Sequence, residues 1–331
     1  MVPRCPTVKT PNPPCPPLTK GGDMYMSGGI RHLYLVTPLV KFGGFKLNPQ
    51  PMAHPDRFLL AGVMGWPVMH SRSPLLHNYW FKRHDLAGTY VPLAIRPEGL
   101  AAALRALHPL GYAGCNLTIP HKQQAMTIVD EVDTVGRSIG AISCVVVRPE
   151  GSLAGSNNDC YGFIHNLKQE QPGWRADPGA IVVLGAGGGS RAVCYGLLQE
   201  GAKEIRLLNR TLARAKGIAA EFGGPIKALP WESRHDTLEG AAMVVNATSQ
   251  GMVGQPALDI RLDKLPKSAL AADIIYTPLE TPFLAAARQR GNRTVNGLGM
   301  LLHQGRPAWK AWFGIEVEVT PELRSLIERS L

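Results

Sequence analysis

Between Ile181 and Arg191 the chain reads Ile-Val-Val-Leu-Gly185-Ala186-Gly187-Gly188-Gly189-Ser190-Arg, small residues set between an apolar run and an amphipathic one. Glycines at that place let backbone N–H groups approach a pyrophosphate, which then lies at the positive end of the following helix. The chemistry is dinucleotide binding; the plain alternative is a tight strand-to-helix turn with no ligand. The end of the next strand discriminates between dinucleotides. A site for NAD places Asp or Glu there, roughly 20 residues past the glycines, to accept the ribose 2′-hydroxyl. Here the residues are Asn209-Arg210-Thr211, with Arg214 about one helical turn further on. Two guanidiniums suit a 2′-phosphate that a carboxylate would repel, so the motif is expected to take NADP(H). Without a ligand it is an exposed basic helix start.

Three other stretches hold polar groups on short turns. Ser71-Arg-Ser73-Pro-Leu-Leu-His-Asn78 opens a helix, with Ser73 expected at the N-cap and Pro74 at N1. Asn116-Leu-Thr118-Ile-Pro-His-Lys122 runs from a short strand into an expected helix start. That leaves Lys122 in the first turn, where a cation opposes the helix dipole unless a carboxylate offsets it. Asn157-Asn158-Asp159 precedes a helix expected over Tyr161 to Gln169. Taken singly, Ser73 and Asp159 are caps and Lys122 is a surface charge.

These residues need a frame. From Phe58 the pattern predicts a strand at Leu59 to Met64, a helix at Pro74 to His84, a strand at Tyr90 to Ala94 and a helix at Glu98 to Leu107. A second series predicts strands at Ile181 to Leu184, Glu204 to Leu208, Met243 to Asn246 and Leu270 to Ile275, with a helix over Ser190 to Glu200. Such alternation predicts parallel sheets covered by helices, an α/β chain. The Pro- and Gly-rich segment Pro172 to Pro178 lies between the two series as a boundary linker. No solenoid repeat is present.

Composition narrows the function classes. The 331 residues suffice for two ordinary domains, and 45% apolar with 18% charged residues is a globular balance. No apolar run approaches the roughly 20 residues that span a bilayer. The formal charge of +10 favours anionic partners, but the basic residues are scattered and no nucleic-acid motif accompanies them. The six cysteines, without a CxxC pair, suit reduced thiols in the cytoplasm. No histidine or cysteine spacing suggests a metal. The segment 1-55 is Pro- and Gly-rich and expected to be disordered. It lacks the order of parts of a secretory signal. Met52, just ahead of the first patterned segment, is a candidate start site.

Together the polar turns resemble the shikimate/quinate dehydrogenase family, whose motifs read Ser-x-Ser-Pro-x-x-His-Asn, Asn-x-Thr-x-Pro-x-Lys and Asn-Thr-Asp. The likeness runs from Leu60 to about Ala311, through Asn246-Ala-Thr-Ser-Gln-Gly251, Asp273-Ile-Ile-Tyr276 and Asn296-Gly297-Leu-Gly-Met-Leu-Leu-His-Gln304. It implies an N-terminal α/β substrate domain with a mainly parallel sheet (56-159 plus 297-331) and a Rossmann NADP-binding domain (160-296). It also implies reversible NADP(H)-dependent oxidation of a ring hydroxyl of shikimate or a related cyclic hydroxy acid, by a monomer or homodimer. Position by position, Lys122 and Asp159 fall on the catalytic pair. Ser71, Ser73, Thr118, Ser143, Asn158, Tyr276 and Gln304 fall on substrate positions. Gly185 to Gly189, Asn209, Arg210, Thr211, Arg214, Ile274 and Gly297 fall on cofactor positions.

Two departures lie in the pocket. The family pattern Gly-Ala-x-Asn-Thr becomes Gly140-Ala-Ile-Ser143-Cys144, and the Thr before the aspartate becomes Asn158. An unpaired buried polar group costs about 1 to 3 kcal/mol, enough to change substrate preference. Quinate or another shikimate-like acid is therefore an alternative substrate, and a catalytically weak NADP-binding regulatory module is the alternative of a different class.

Overall fold

The computed structural model describes residues 58–331, so the expectations for 1-55 and for Met52 lie outside the described residues. The first sheet is built from β1 (Leu59–Gly65), β2 (Gly88–Ala94), β3 (Tyr112–Leu117), β4 (Glu131–Val132), β5 (Cys144–Val147) and β6 (Leu153–Ser156), in the order β2-β1-β3-β5-β6-β4. Its β1–β2, β1–β3 and β4–β6 pairings are parallel; β5 and β6 form an antiparallel hairpin that also pairs β5 antiparallel to β3. Helices α1 (Ser73–Arg83), α2 (Leu100–Ala106) and α3 (Thr134–Ile139) lie between these strands in sequence, and α4 (Asp159–Glu170) follows them.

The second sheet contains β7 (Ala180–Leu184), β8 (Ile205–Asn209), β9 (Ile226–Pro230), β10 (Ala241–Asn246), β11 (Leu270–Asp273) and β12 (Arg293–Val295). All its pairings are parallel, in the order β12-β11-β10-β7-β8-β9. This is the doubly wound Rossmann order, with the strand order reversing between β7 and β10, where a crevice opens at the strands' carboxyl ends. Helices α5 (Gly188–Gln199), α6 (Leu212–Phe222) and α7 (Pro282–Gln289) connect it.

Each sheet buries apolar side chains on both faces, which is why β7 reads as an unbroken apolar run rather than an alternating one. The chain then returns to the first sheet. In α8 (Leu298–Phe313), Leu302, Trp309 and Phe313 pack with Ala61, Val63 and Trp80, joined by Leu323 and Ile327 of α9 (Pro321–Glu328). Helix α4 touches both α8 and α5, bridging the halves.

Local differences from the sequence expectation have plain causes. The helix expected from Glu98 begins as a 3-10 turn at Pro97–Gly99 before α2. The strand expected to reach Ile275 stops at Asp273, whose carboxylate accepts from Ile275 N–H and turns the chain. Helix α5 starts at Gly188 rather than Ser190, so Gly188 and Gly189 form its first turn. Their N–H groups belong to the donors that have no partner within the helix.

Candidate active site

Lys122 does not sit in a helix. It lies on a turn followed only by a 3-10 segment, Gln124–Thr127, so the expected dipole conflict does not arise. Its backbone is tied down by Ile142 N–H donating to Lys122 O at 2.9 Å. Its Nζ donates to Asp159 Oδ2 at 2.6 Å, with the lysine side chain 26% exposed and the carboxylate 4%. Asp159 is the first residue of α4, not its cap. Asn157 Oδ1 accepts the Asp159 N–H at 2.9 Å, and Asn157 Nδ2 donates to Ala141 O. This Asx turn relieves Asp159 of capping and turns its carboxylate toward the lysine. Asp159 Oδ1 is buried without a partner among the described residues.

A cavity of about 150 Å³ opens beside this pair, and Ser71, Ser73, Thr118, Lys122, Ser143, Tyr276 and Gln304 all line it. Asp159 and Asn158 stand behind the wall, both buried. Ser73 is not an N-cap either: it is the first residue of α1, and its N–H donates to Ser71 Oγ at 3.3 Å. Thr118 is held by its N–H donating to Met64 O. The two departures from the family pattern turn out to be joined, since Asn158 N–H donates to Ser143 Oγ at 2.9 Å. That leaves the Ser143 proton to be donated elsewhere.

Burial raises the Tyr276 phenol above its usual range, with the Arg72 cation opposing. The turn bearing Tyr276 and Ile274 is fixed by Asp273, which accepts from Asn246 Nδ2, Thr281 Oγ1 and Ile275 N–H. Burial pushes this carboxyl up to about 6 against those bonds. Two polar lining residues escaped the sequence reading, Asn116 and His77. Both stand inside the quoted motifs, and that position was the available signal. Tyr90 Oη donates to Asn116 Oδ1 at 2.7 Å, and Asn116 Nδ2 donates to Ser143 O at 3.1 Å.

The glycine loop lies between β7 and α5. Gly185 adopts φ +107°, and a Cβ there would lie 2.8 Å from Ala247 O, so no other residue suits it. A Cβ on Gly187 or Gly188 would meet nothing within 4 Å: the space above the first turn of α5 is open, as a pyrophosphate requires. Asn209 Oδ1 accepts from Ala186 N–H at 3.1 Å, and Asn209 Nδ2 donates to Thr211 O. Arg210 and Arg214 are exposed beside this loop, without an ion-pair partner among the described residues. Ile274 Cδ1 stands over Gly189, and Gly297 passes so near Ile274 O that a Cβ would fall 2.1 Å from it. The donor set and the open cradle fit a phosphorylated dinucleotide.

A larger groove of about 480 Å³ lies at the opposite, amino ends of β7, β10, β11 and β12. Ligands of such sheets bind at the carboxyl ends, so its size does not make it the site. Among the described residues no group of His, Cys, Asp and Glu could hold a metal, and no helix is long and apolar enough to cross a membrane.

Residues 63–145 match the family described as shikimate dehydrogenase substrate binding domain, and residues 173–274 match shikimate / quinate 5-dehydrogenase. A shikimate dehydrogenase (NADP(+)) of Rhodospirillum rubrum is 52% identical over 272 residues, covering 81% of this chain and 96% of that protein. The chain belongs to the shikimate dehydrogenase family. Its fold agrees with solved members: the Thermus thermophilus shikimate 5-dehydrogenase in complex with NADP(H) and shikimate is 33% identical with a TM-score of 0.74, covering 83% of this chain and 100% of that one. The Corynebacterium glutamicum quinate dehydrogenase in complex with NAD is 30% identical with a TM-score of 0.77, covering 83% and 99%. Shikimate dehydrogenase relatives and a quinate dehydrogenase therefore share this frame, and the pocket residues must supply the distinction.

Proposed function

We propose that this chain catalyses the reversible NADP(H)-dependent oxidation of a ring hydroxyl of shikimate or a closely related cyclic hydroxy acid, 3-dehydroshikimate plus NADPH giving shikimate plus NADP. The observation that carries the reading is the 2.6 Å Lys122–Asp159 contact at the wall of a cavity rich in hydroxyl and amide groups. NADP(H), when bound, supplies or accepts the hydride at the ring carbon. In the reducing direction Lys122 Nζ gives its proton to the carbonyl oxygen, and Asp159 Oδ2 holds the ammonium at the reacting atom. In the reverse direction the same pair receives the hydroxyl proton.

On this reading Ser71 and Ser73 take the carboxylate, Thr118, Ser143, Asn158 and Gln304 take hydroxyls, and Tyr276 stands beside the ring. The dinucleotide would lie along Gly185, Ala186, Gly187, Gly188 and Gly189. Asn209, Arg210, Thr211 and Arg214 would surround the adenosine 2′-phosphate, and Ile274 and Gly297 would lie on the nicotinamide side. Residues 56-159 plus 297-331 then form the substrate domain and 160-296 the NADP domain. The return of α8 and α9 to the first sheet supports that division. A monomer or homodimer working in the cytoplasm on a small acid, without nucleic acid, completes the proposal.

The test is NADP-dependent turnover of a panel of shikimate, quinate and related cyclic acids, followed at the nicotinamide absorbance, for the wild type and Ser143→Asn. Turnover of shikimate is expected, increased by Ser143→Asn if Ser143 retunes the pocket. NADPH binding with no acid turned over would overturn the assignment in favour of a regulatory module.

A further inference from the structure

His77 lies one helical turn beyond Ser73 on α1 and lines the same cavity, yet it is 1% exposed. Its ring stacks on Tyr90 at 4.0 Å with an 8° tilt, and packs edge-on to Trp80 at 5.4 Å. Trp309 Nε1 approaches His77 Nδ1 to 2.6 Å. An indole N–H can only donate, so Nδ1 must be the acceptor and the neutral ring must carry its proton on Nε2. A flipped ring would put a carbon opposite the indole and lose the bond. A second proton on Nδ1 would set two N–H groups against each other, and burial alone already drives the ring's pKa down to about 3. Nε2 has no hydrogen-bond partner among the described residues. An N–H donor left unpaired on so sheltered a ring costs free energy, and the ring lines the cavity.

We propose that the His77 Nε2–H is a fixed neutral donor to a carboxylate oxygen of the bound acid, working beside Ser73, and that Trp309 sets its tautomer. The proposal rests on the functional reading above. Because the tautomer is locked, the position offers a donor and never an acceptor, so it selects an oxygen with lone pairs and discriminates against a ligand group that must donate.

His77→Asn and His77→Gln separate this role from a packing role. The Asn carbonyl can stand where Nδ1 accepts from Trp309 but removes the donor at Nε2. The Gln amide reaches the Nε2 position. Shikimate affinity is measured by fluorescence titration and as KM, with NADPH affinity and thermal unfolding in parallel. His77→Asn is expected to weaken shikimate roughly 3- to 10-fold, the worth of one hydrogen bond, with NADPH affinity unchanged. His77→Gln is expected to restore most of that loss. Equal shikimate affinity in His77→Asn and wild type would overturn the proposal. So would a loss shared by both variants in step with a lowered Tm. If the wild type itself fails to bind shikimate, the functional reading falls and this assignment with it.

Discussion

Lys122 and the pair Arg210 and Arg214 are cations at two ends of one proposed reaction site, but the protein treats them differently. Lys122 is half sheltered and clasped at 2.6 Å by a carboxylate that is 4% exposed. The arginines stand in solvent with no ion-pair partner among the described residues. A proton-transfer group must be held in place before the substrate arrives, because its geometry sets the rate. A phosphate-reading group gains its partner from the ligand, and keeping it hydrated and mobile beforehand costs little. The same contrast extends outward. The pocket is lined or backed by buried residues such as His77, Ser143, Asn158 and Asp159, whereas the glycine cradle is open.

The severest way to break the comparison is Lys122→Ala. If the clasped lysine transfers the proton, kcat falls by about 10² to 10⁴ while KM for the acid changes far less. A wild-type kcat in steady-state assays would remove Lys122 from the chemistry. Next, Arg210→Ala should weaken NADP(H) by roughly 10-fold or more while leaving NAD(H) nearly unchanged, since charged hydrogen bonds to phosphate contribute about 1.5 to 3 kcal/mol. Titrations showing equal losses for both dinucleotides would mean that Arg210 reads no phosphate.

A third test reads stability rather than turnover and probes how dry α8 is. His303, on α8 beside Gln304, is 6% exposed, and its Nε2 contacts Gln169 Oε1 at 2.5 Å. Burial, with Arg306, His165 and Arg324 nearby, lowers its pKa from 6.5 to about 3. The unfolded chain therefore takes up this proton first as the pH falls. The stabilising contribution is whole above about 6.5 and is lost progressively toward about 3. Relative to His303→Gln, the wild type should lose up to about 1.4 kcal/mol per pH unit across that window. Denaturant unfolding of both proteins at several pH values measures it, and parallel pH curves would mean that water reaches the imidazole.

The glycine turn and the strand-helix alternation were legible in the sequence because each acts through local chemistry: small residues at a strand end and apolar periodicity. The β5–β6 hairpin was not. Cys144–Val147 and Leu153–Ser156 are short apolar runs, and their antiparallel pairing depends on β3 lying alongside. The local readings of Ser73, Lys122 and Asp159 failed for a related reason. Ser71 and Asn157 meet the backbone demands two residues downstream of each, so Ser73 and Asp159 are released from capping, and no helix forms at Lys122.

The sequence by itself determined the fold class, the family and the types of group available for the chemistry, because those are written in residue identity and spacing. Only the tertiary structure decided which groups meet. Lys122 and Asp159 are 37 residues apart, Trp309 and His77 are 232 apart, and the Ser143–Asn158 bond joins two departures that read as unrelated. Contacts across such separations are set by how α8 packs back against the first sheet and how α4 packs against α8 and α5, and no local pattern along the chain encodes the distance between two side chains that different elements carry.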